Sequence, residues 1–300
     1  MKHLATDLDL SADALNYALD LSSQIKRTPS RFATALSGQF LSLLFEKPSL
    51  RTRLTFELAM KQLGGDSVTS VGRIAEREPV KDVARNLDRW TQGIVARVFS
   101  QQTIEELAQW SHVPVINALS DLYHPCQALA DVLTMKEHLG RGIEQDVAGR
   151  KVTFVGDGNN VAHSLMLTAT RLGMHVAIAA PKSYQPVPEI VDQAREFGEV
   201  TITDDWQEAV HGADAIYTDV WTSMGQESEA QERVRIFAPY QVNEALMAEA
   251  NPDAIFLHCL PAKRGQEVTD AVMESAQSAV FDQAENRLHV QKALLVMLLG

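Results

Sequence analysis

The sequence predicts an α/β protein built from two doubly wound parallel-sheet domains, with the active site in the cleft between them. Three observations predict it. Short β-branched or apolar runs alternate with helical patterns along the 300 residues, which is the signature of parallel βαβ units. The polar segment Gly140 to Arg150, with three glycines, divides that series into halves. The chemically interesting side chains recur just beyond strand-like runs, where open parallel sheets bind their ligands. The expected domains are 1–140 and 150–284, with a final helix over 285–300 packing back on the first.

Strands are expected at Gln39-Phe45, Asp66-Val71, Ile94-Phe99, Val113-Ala118, Lys151-Val155, His175-Ala179, Val200-Thr203, Ala215-Thr218, Ala254-Leu257 and Ala279-Phe281. Most precede a helical pattern. Ser11 can cap a first helix that buries Leu15, Ala18, Leu19 and Ile25, and Thr103 with Glu106 reads as a capping box. Val80, Val83, Ala84 and Leu87 make one apolar helix face. Gly64-Gly65 stops the helix that runs from Leu54 to Leu63. Glu285 to Leu299 is an amphipathic helix with an apolar end, suited to packing on protein.

Composition narrows the function. With 45% hydrophobic and 22% charged residues, the chain is an ordinary globular protein rather than a disordered one. The excess of 39 acidic over 27 basic side chains, a net charge of -12, argues against nucleic acid or an anionic membrane as partner. A small anion remains suitable, since a few arginines can converge in one cleft. Met1 to Leu10 is broken by Asp7 and Asp9, so no secretory start is expected. The longest apolar runs, such as Ala293 to Leu299, are too short to span a bilayer. Two cysteines without paired spacing suggest a reducing compartment, the cytoplasm by default, and no structural metal.

Five segments carry chemistry. Ser49-Leu50-Arg51-Thr52-Arg53 lies between an apolar strand and a helix, so backbone N–H groups of the helix start, two hydroxyls and guanidinium groups can meet a phosphate. The bland alternative is a serine cap followed by surface arginines. In "HPCQALADVLT", Pro125 suits a first helical turn, leaving His124 at its start and Gln127 on that turn. A neutral imidazole N–H and the Arg97 guanidinium could donate to a carbonyl oxygen gaining charge; a structural histidine cap is the alternative. "FVGDGNNVAHS" has Gly156-x-Gly158, but Val161 holds the third glycine position. The next strand ends in Ala179-Ala180-Pro181 without an acidic residue, which disfavours a dinucleotide site. Asn160 reads better as a donor to a substrate carboxylate. "DVWTSMGQESE" is either a solvated loop or an amino-acid cradle, with Asp219 and Ser223 for an α-ammonium and N–H groups near Met224 for an α-carboxylate. In "LHCLPAKRGQEVTD", Cys259 is either inert packing or, beside Lys263-Arg264, a group able to move a proton. Arg287, in "FDQAENRLH", would alone read as a surface arginine.

Together, "FEKPSLRTRLTFE", "EPVKDVARNL", "SDLYHPCQALADVLT", "GDGNNVAHS", "DVWTSMGQE", "HCLPAKRGQEVTD" and "VFDQAENRLHVQKALL" resemble the aspartate/ornithine carbamoyltransferase family over nearly the whole chain. "SMG" and "HCLPA" point to its ornithine-using branch. The resemblance implies transfer of the carbamoyl group of carbamoyl phosphate to the δ-amine of ornithine, giving citrulline and phosphate, without cofactor, metal or covalent intermediate. It implies that Ser49, Leu50, Arg51 and Thr52 hold the phosphate. Arg97, His124, Pro125, Cys126, Gln127 and Arg287 would hold the carbamoyl end, with the Leu260 carbonyl accepting from its amine. Asn160, Asp219, Ser223 and Met224 would hold ornithine, with Cys259 and Asp219 on the proton path.

A homotrimer, or a multiple of it, is implied too, with Arg73 in the loop that completes a neighbouring chain's phosphate site. Two positions depart from the family. Leu50 replaces a common threonine but leaves the backbone N–H, and Arg73 replaces a glutamine or histidine. A relative using N-acetylornithine or putrescine would share the phosphate half. A nicotinamide oxidoreductase and a non-catalytic binding paralogue are the readings from other classes.

Overall fold

The computed structural model describes residues 2–140, 146–222 and 227–300. Two compact units form, Met1–Ala130 with Asn286–Gly300, and Asp131–Glu285. The division runs through the helix Pro125–Leu139 and through the helix Val280–Leu299. Residues 141–145, within the glycine-containing segment, lie outside the described residues.

The first unit holds a parallel four-stranded sheet of β1 (Phe40–Phe45), β2 (Asp66–Val71), β3 (Gly93–Arg97) and β4 (Val115–Leu119), in the order β2-β1-β3-β4. β1 is buried from Leu41 to Phe45 and β3 throughout, as expected where helices cover both faces of a sheet. β2, at the edge, is largely exposed. One face packs Leu44, Ile94, Ala96 and Val98 with Val80 and Ala84 of the helix Val80–Leu87 and Ile104 and Leu107 of the helix Gln101–Trp110. Each such apolar side chain withdrawn from water contributes about 1.5–3 kcal/mol. Ser11 caps the helix Ala12–Arg27, accepting from Ala14 N at 3.1 Å. That helix lays Leu21 and Ile25 against Ala293 of the final helix, and Lys26 donates to Asn286 Oδ1 at 2.9 Å. The helix Arg51–Gln62 stops at Gly64, whose φ of +88° suits only glycine and whose Cβ would meet Ala33 O at 2.8 Å.

The second unit holds β5 (Lys151–Val155), β6 (His175–Ala179), β7 (Val200–Thr203), β8 (Ala215–Thr218) and β9 (Ile255–His258). They form a parallel sheet in the order β7-β6-β5-β8-β9. The helix Asn160–Thr170 is buried from Val161 to Thr170, including the polar residues His163, Ser164, Thr168 and Thr170. Asp214 holds the starts of two strands, accepting from Arg150 Nη1 at 2.8 Å and from the N–H of Lys151 at 2.9 Å.

Two expectations are corrected. Ala279-Phe281 is not a strand. A single bridge joins Phe256 to Ser278, and the final helix begins at Val280, with Phe281 63% exposed. An apolar run of three residues does not distinguish a strand from a helix start. Nor do Thr103 and Glu106 cap the fourth helix. It starts one turn earlier at Gln101, with Ser100 accepting from the N–H of Gln102.

Among the described residues, no helix is long and apolar enough to cross a membrane.

Candidate functional site

Each sheet has one place where strand order reverses, and neighbouring crossovers there leave to opposite faces and open a crevice. In the first unit this point lies between β1 and β3, in the second between β5 and β8. The candidate residues gather at both.

In the first unit, the chain leaves β1 at Phe45 and turns into the helix Arg51–Gln62. Ser49 Oγ accepts from the N–H of Thr52 at 3.2 Å, closing the first turn, while Leu50 holds the cap position with its side chain 69% exposed. Thr52 is buried, and its Oγ1 accepts from Arg97 Nη1 at 3.5 Å and from Arg287 Nη2 at 3.3 Å. Arg97 ends β3 and Arg287 comes from the final helix, so residues 45 and 235 positions from Thr52 meet on one hydroxyl. Arg287 also donates to Gln127 Oε1 on the first turn of Pro125–Leu139.

His124, at the head of that helix, is buried. Burial, and then the Arg287 and Arg97 charges, hold its pKa well below the usual imidazole value, so it is neutral at pH 7. Cys126 is inert: it donates to Asn117 O, and burial pushes its thiol up to about 12. Its contribution to a ligand is therefore limited to the main chain. Arg73 is exposed, its guanidinium 5.4 Å from the Phe99 ring centroid.

In the second unit, Asn159 rather than Asn160 caps the helix Asn160–Thr170, accepting from the N–H groups of Val161 and Ala162. Its amide donates to Asp219 Oδ2 at 2.9 Å. Asp219 follows β8 and is buried; its Oδ1 accepts from the N–H of Val220 at 2.7 Å and from Cys259 Sγ at 2.9 Å. Asn160 takes the first helical position beside it. Gly158 is required by close packing, because a Cβ there would meet Pro186 N at 2.3 Å. The room that this glycine leaves is filled by protein, which weighs further against a dinucleotide. Ser223 and Met224 lie outside the described residues.

Three groups went unnoticed in the sequence. Lys47 lies over the Phe99 ring at 4.9 Å, and burial and then the Arg97 charge lower its pKa; its position two residues before Ser49 was the available signal. Arg233, almost wholly buried, pairs with Asp157, donates to Trp221 O and lies 4.6 Å from the Tyr184 ring centroid. Burial raises the Asp157 pKa to about 6, Arg233 opposing and Asp219 adding to the shift. The pair is separated by 76 positions, which no local pattern reveals. Asn159 was overlooked beside Asn160.

Asp219, His258 and Cys259 bring ligand atoms within 4.8 Å of one another. The atoms are already committed, however. Cys259 donates to Asp219, and the two ring nitrogens of His258 engage Leu260 N and Glu267. A cation would have to break these bonds.

Comparison with known proteins places both halves in one family. Residues 2–137 match the description "Aspartate/ornithine carbamoyltransferase, carbamoyl-P binding domain", and residues 148–298 match "Aspartate/ornithine carbamoyltransferase, Asp/Orn binding domain". The chain is 52% identical over 289 residues to the ornithine carbamoyltransferase of Thermus thermophilus, covering 95% of this chain and 92% of that relative. The structure of ornithine carbamoyltransferase from Pyrococcus furiosus aligns with a TM-score of 0.94 at 44% identity, covering 100% and 97% of the two chains. An acetylornithine transcarbamylase complexed with acetylcitrulline aligns with a TM-score of 0.89 at 32% identity, covering 100% of both. The residues gathered at the two switch points thus stand in a chain that belongs to the aspartate/ornithine carbamoyltransferase family.

Proposed function

We propose that the protein is an ornithine carbamoyltransferase, moving the carbamoyl group of carbamoyl phosphate to the δ-amine of L-ornithine to give L-citrulline and phosphate. The observation that carries the reading is the meeting of Arg97 and Arg287 on the Thr52 hydroxyl, beside the first turn of a helix, at a sheet switch point. Two guanidinium groups and helix N–H donors suit a doubly charged phosphate. Ser49, Leu50 (through its N–H), Arg51 and Thr52 take the phosphate; Arg97, His124, Pro125, Cys126, Gln127 and Arg287 take the carbamoyl end, whose amine donates to the Leu260 carbonyl. A neutral His124 can donate to the carbamoyl oxygen, each such donor contributing on the order of 3 kcal/mol to the barrier.

Asn160, Asp219, Ser223 and Met224 hold ornithine. In the transfer, the δ-nitrogen forms a bond to the carbamoyl carbon, the bond from that carbon to the phosphate oxygen breaks, and the nitrogen loses a proton. An amine of pKa ~10.4 costs roughly 4 kcal/mol to neutralise near pH 7.4. Cationic surroundings lower this cost, and Asp219 accepts the proton, either directly or through Cys259, whose thiol takes it up as it passes its own proton to Asp219. Ornithine is favoured over N-acetylornithine by the higher identity, across structural alignments, to the ornithine carbamoyltransferase of Thermus thermophilus than to the acetylornithine enzyme, 47% against 32%.

The working form is a homotrimer in the cytoplasm, with Arg73 reaching a neighbouring copy's phosphate site. Support comes from the apolar surface at one edge: Leu50, Leu54 and Leu58 on one helix and Val68 and Val71 on edge strand β2 are all exposed. Such a surface on a protein of charge -12 calls for a partner. Sedimentation equilibrium should return three times the 33.1 kDa chain mass, or a multiple of that; a monomer would refute the assembly.

Citrulline formation should be seen with carbamoyl phosphate and ornithine, and not with acetylornithine, putrescine or aspartate. Arg51→Ala should lower turnover by at least ~10²-fold with the melting temperature little changed, since its loss removes a transition-state contact. Unchanged kinetics would refute the phosphate assignment.

The depressed His124 pKa has a sign that can be checked. Between the low folded value and about 6.5 the unfolded chain binds the extra proton. The His124 contribution to stability is therefore whole above about pH 6.5 and declines as pH falls below it. Urea unfolding of His124→Gln should show a shallower loss between pH 6.5 and 5 than the parent; parallel slopes would contradict the assignment.

A further inference from the structure

The strand β9 ends in His258, and its ring, together with the carboxylate of Glu267, is fully shielded, with side-chain exposures of 0% and 0%. His258 Nε2 lies 3.2 Å from Glu267 Oε1, and His258 Nδ1 accepts from the N–H of Leu260 at 2.8 Å. A main-chain N–H can only donate, so Nδ1 carries the lone pair and the ring proton is on Nε2, aimed at the carboxylate. The same Oε1 also accepts from the N–H of Lys263. The two buried side chains therefore grip the turn 259–263 at both ends. Behind them, the N–H of His258 donates to Gln283 Oε1 at 2.9 Å, and Gln283 donates to Asp131 Oδ1 at 2.6 Å.

This turn has an unusual conformation that needs holding. Leu260 has a φ of 58°, a left-handed conformation that a non-glycine residue keeps only where its surroundings enforce it. Cys259, between His258 and Leu260, donates to Asp219 Oδ1 at 2.9 Å. A buried carboxylate is costly to desolvate, and its bond to a neutral imidazole adds little stability over well-packed apolar groups of the same volume. The bonds to two turn N–H groups instead suit a role in positioning.

We propose that Glu267 and His258 are positioning residues whose dyad holds the 259–263 turn, keeping the Cys259 thiol on Asp219 and fixing the direction of the Leu260 carbonyl. The part concerning Leu260 rests on the proposed carbamoyl transfer; the part concerning Cys259 does not.

The test reads Cys259 directly. Iodoacetamide alkylation of the full chain is followed against pH, with the modified cysteine located by peptide mass. Cys126, buried with its thiol near 12, is silent. A carboxylate beside a thiol disfavours the thiolate, so releasing the turn lowers the pH at which Cys259 reacts. Glu267→Ala should move the profile to lower pH and raise the rate at pH 7.5 roughly threefold or more. Glu267→Gln keeps an acceptor for both donors and should stay near the parent. A Glu267→Ala profile that overlays the parent's, or equal shifts in both variants, would overturn the proposal.

If Glu267→Ala does not fold, two amide variants decide the matter. His258→Asn can offer an oxygen near the Nδ1 position to Leu260 N–H and should resemble the parent, whereas His258→Gln should shift. Identical profiles would overturn the proposal. Citrulline assays on the same samples separate the two ideas: a shifted profile in a parent chain that makes no citrulline would sink the proposed reaction and leave the dyad standing.

Discussion

Gathering positive charge at one point is the constraint on which the first unit depends. Arg97 and Arg287 both donate to the Thr52 hydroxyl, so two like charges repel across a single oxygen. A dianion held there would relieve that repulsion. The surroundings are consistent with this demand. The helix start adds partial positive charge at Ser49–Thr52, His124 is held neutral by burial and the same two arginines, and Lys47 is depressed by burial and Arg97. Such local charge on a chain of net charge -12 is suited to drawing an anion to this point.

The second unit is organised around the opposite charge. Asp219 is buried, yet it receives donors from Asn159, Val220 and Cys259, which makes a fixed carboxylate tolerable. Each donor depends on another element. Asn159 is set by capping its helix, Cys259 by the turn after β9, and Val220 by its neighbour Trp221, whose carbonyl accepts from Arg233. Arg233 in turn is held by Asp157 and two aromatic faces. Buried charges that are paired and hydrogen-bonded form a framework able to present one carboxylate in a defined place. A fixed carboxylate is suited to gripping an amino acid and taking a proton from it, and the cationic point of the first unit to binding a phosphate; these are the two capacities the proposed reaction combines.

The fold was legible where local chemistry is decisive. Lys151–Val155, His175–Ala179 and Ala215–Thr218 were readable to the residue because interior parallel strands are apolar runs between polar turns, and the edge strands Asp66–Val71 and Val200–Thr203 because they are rich in β-branched residues. Ala279–Phe281 was not, because three apolar residues carry no period, and Ser100 was passed over for Thr103 because both types can cap. The placement of Ser49, Arg97, His124, Asp219 and Cys259 at or beyond strand ends followed from the parallel pattern. The contacts between them did not. Arg287 meets Thr52 across 235 positions and Arg233 meets Asp157 across 76, and only tertiary structure brings such pairs together.

The central claim is that the anion-binding residues of the first unit and the carboxylate centre of the second serve one reaction. Its most direct measurement is calorimetric titration with a single molecule in which a phosphonate is joined through a carbonyl to the δ-nitrogen of ornithine. The account predicts one molecule bound per chain, at least ~10²-fold more tightly than either half alone, because the second contact becomes intramolecular. Binding no tighter than that of the phosphonate half would contradict it.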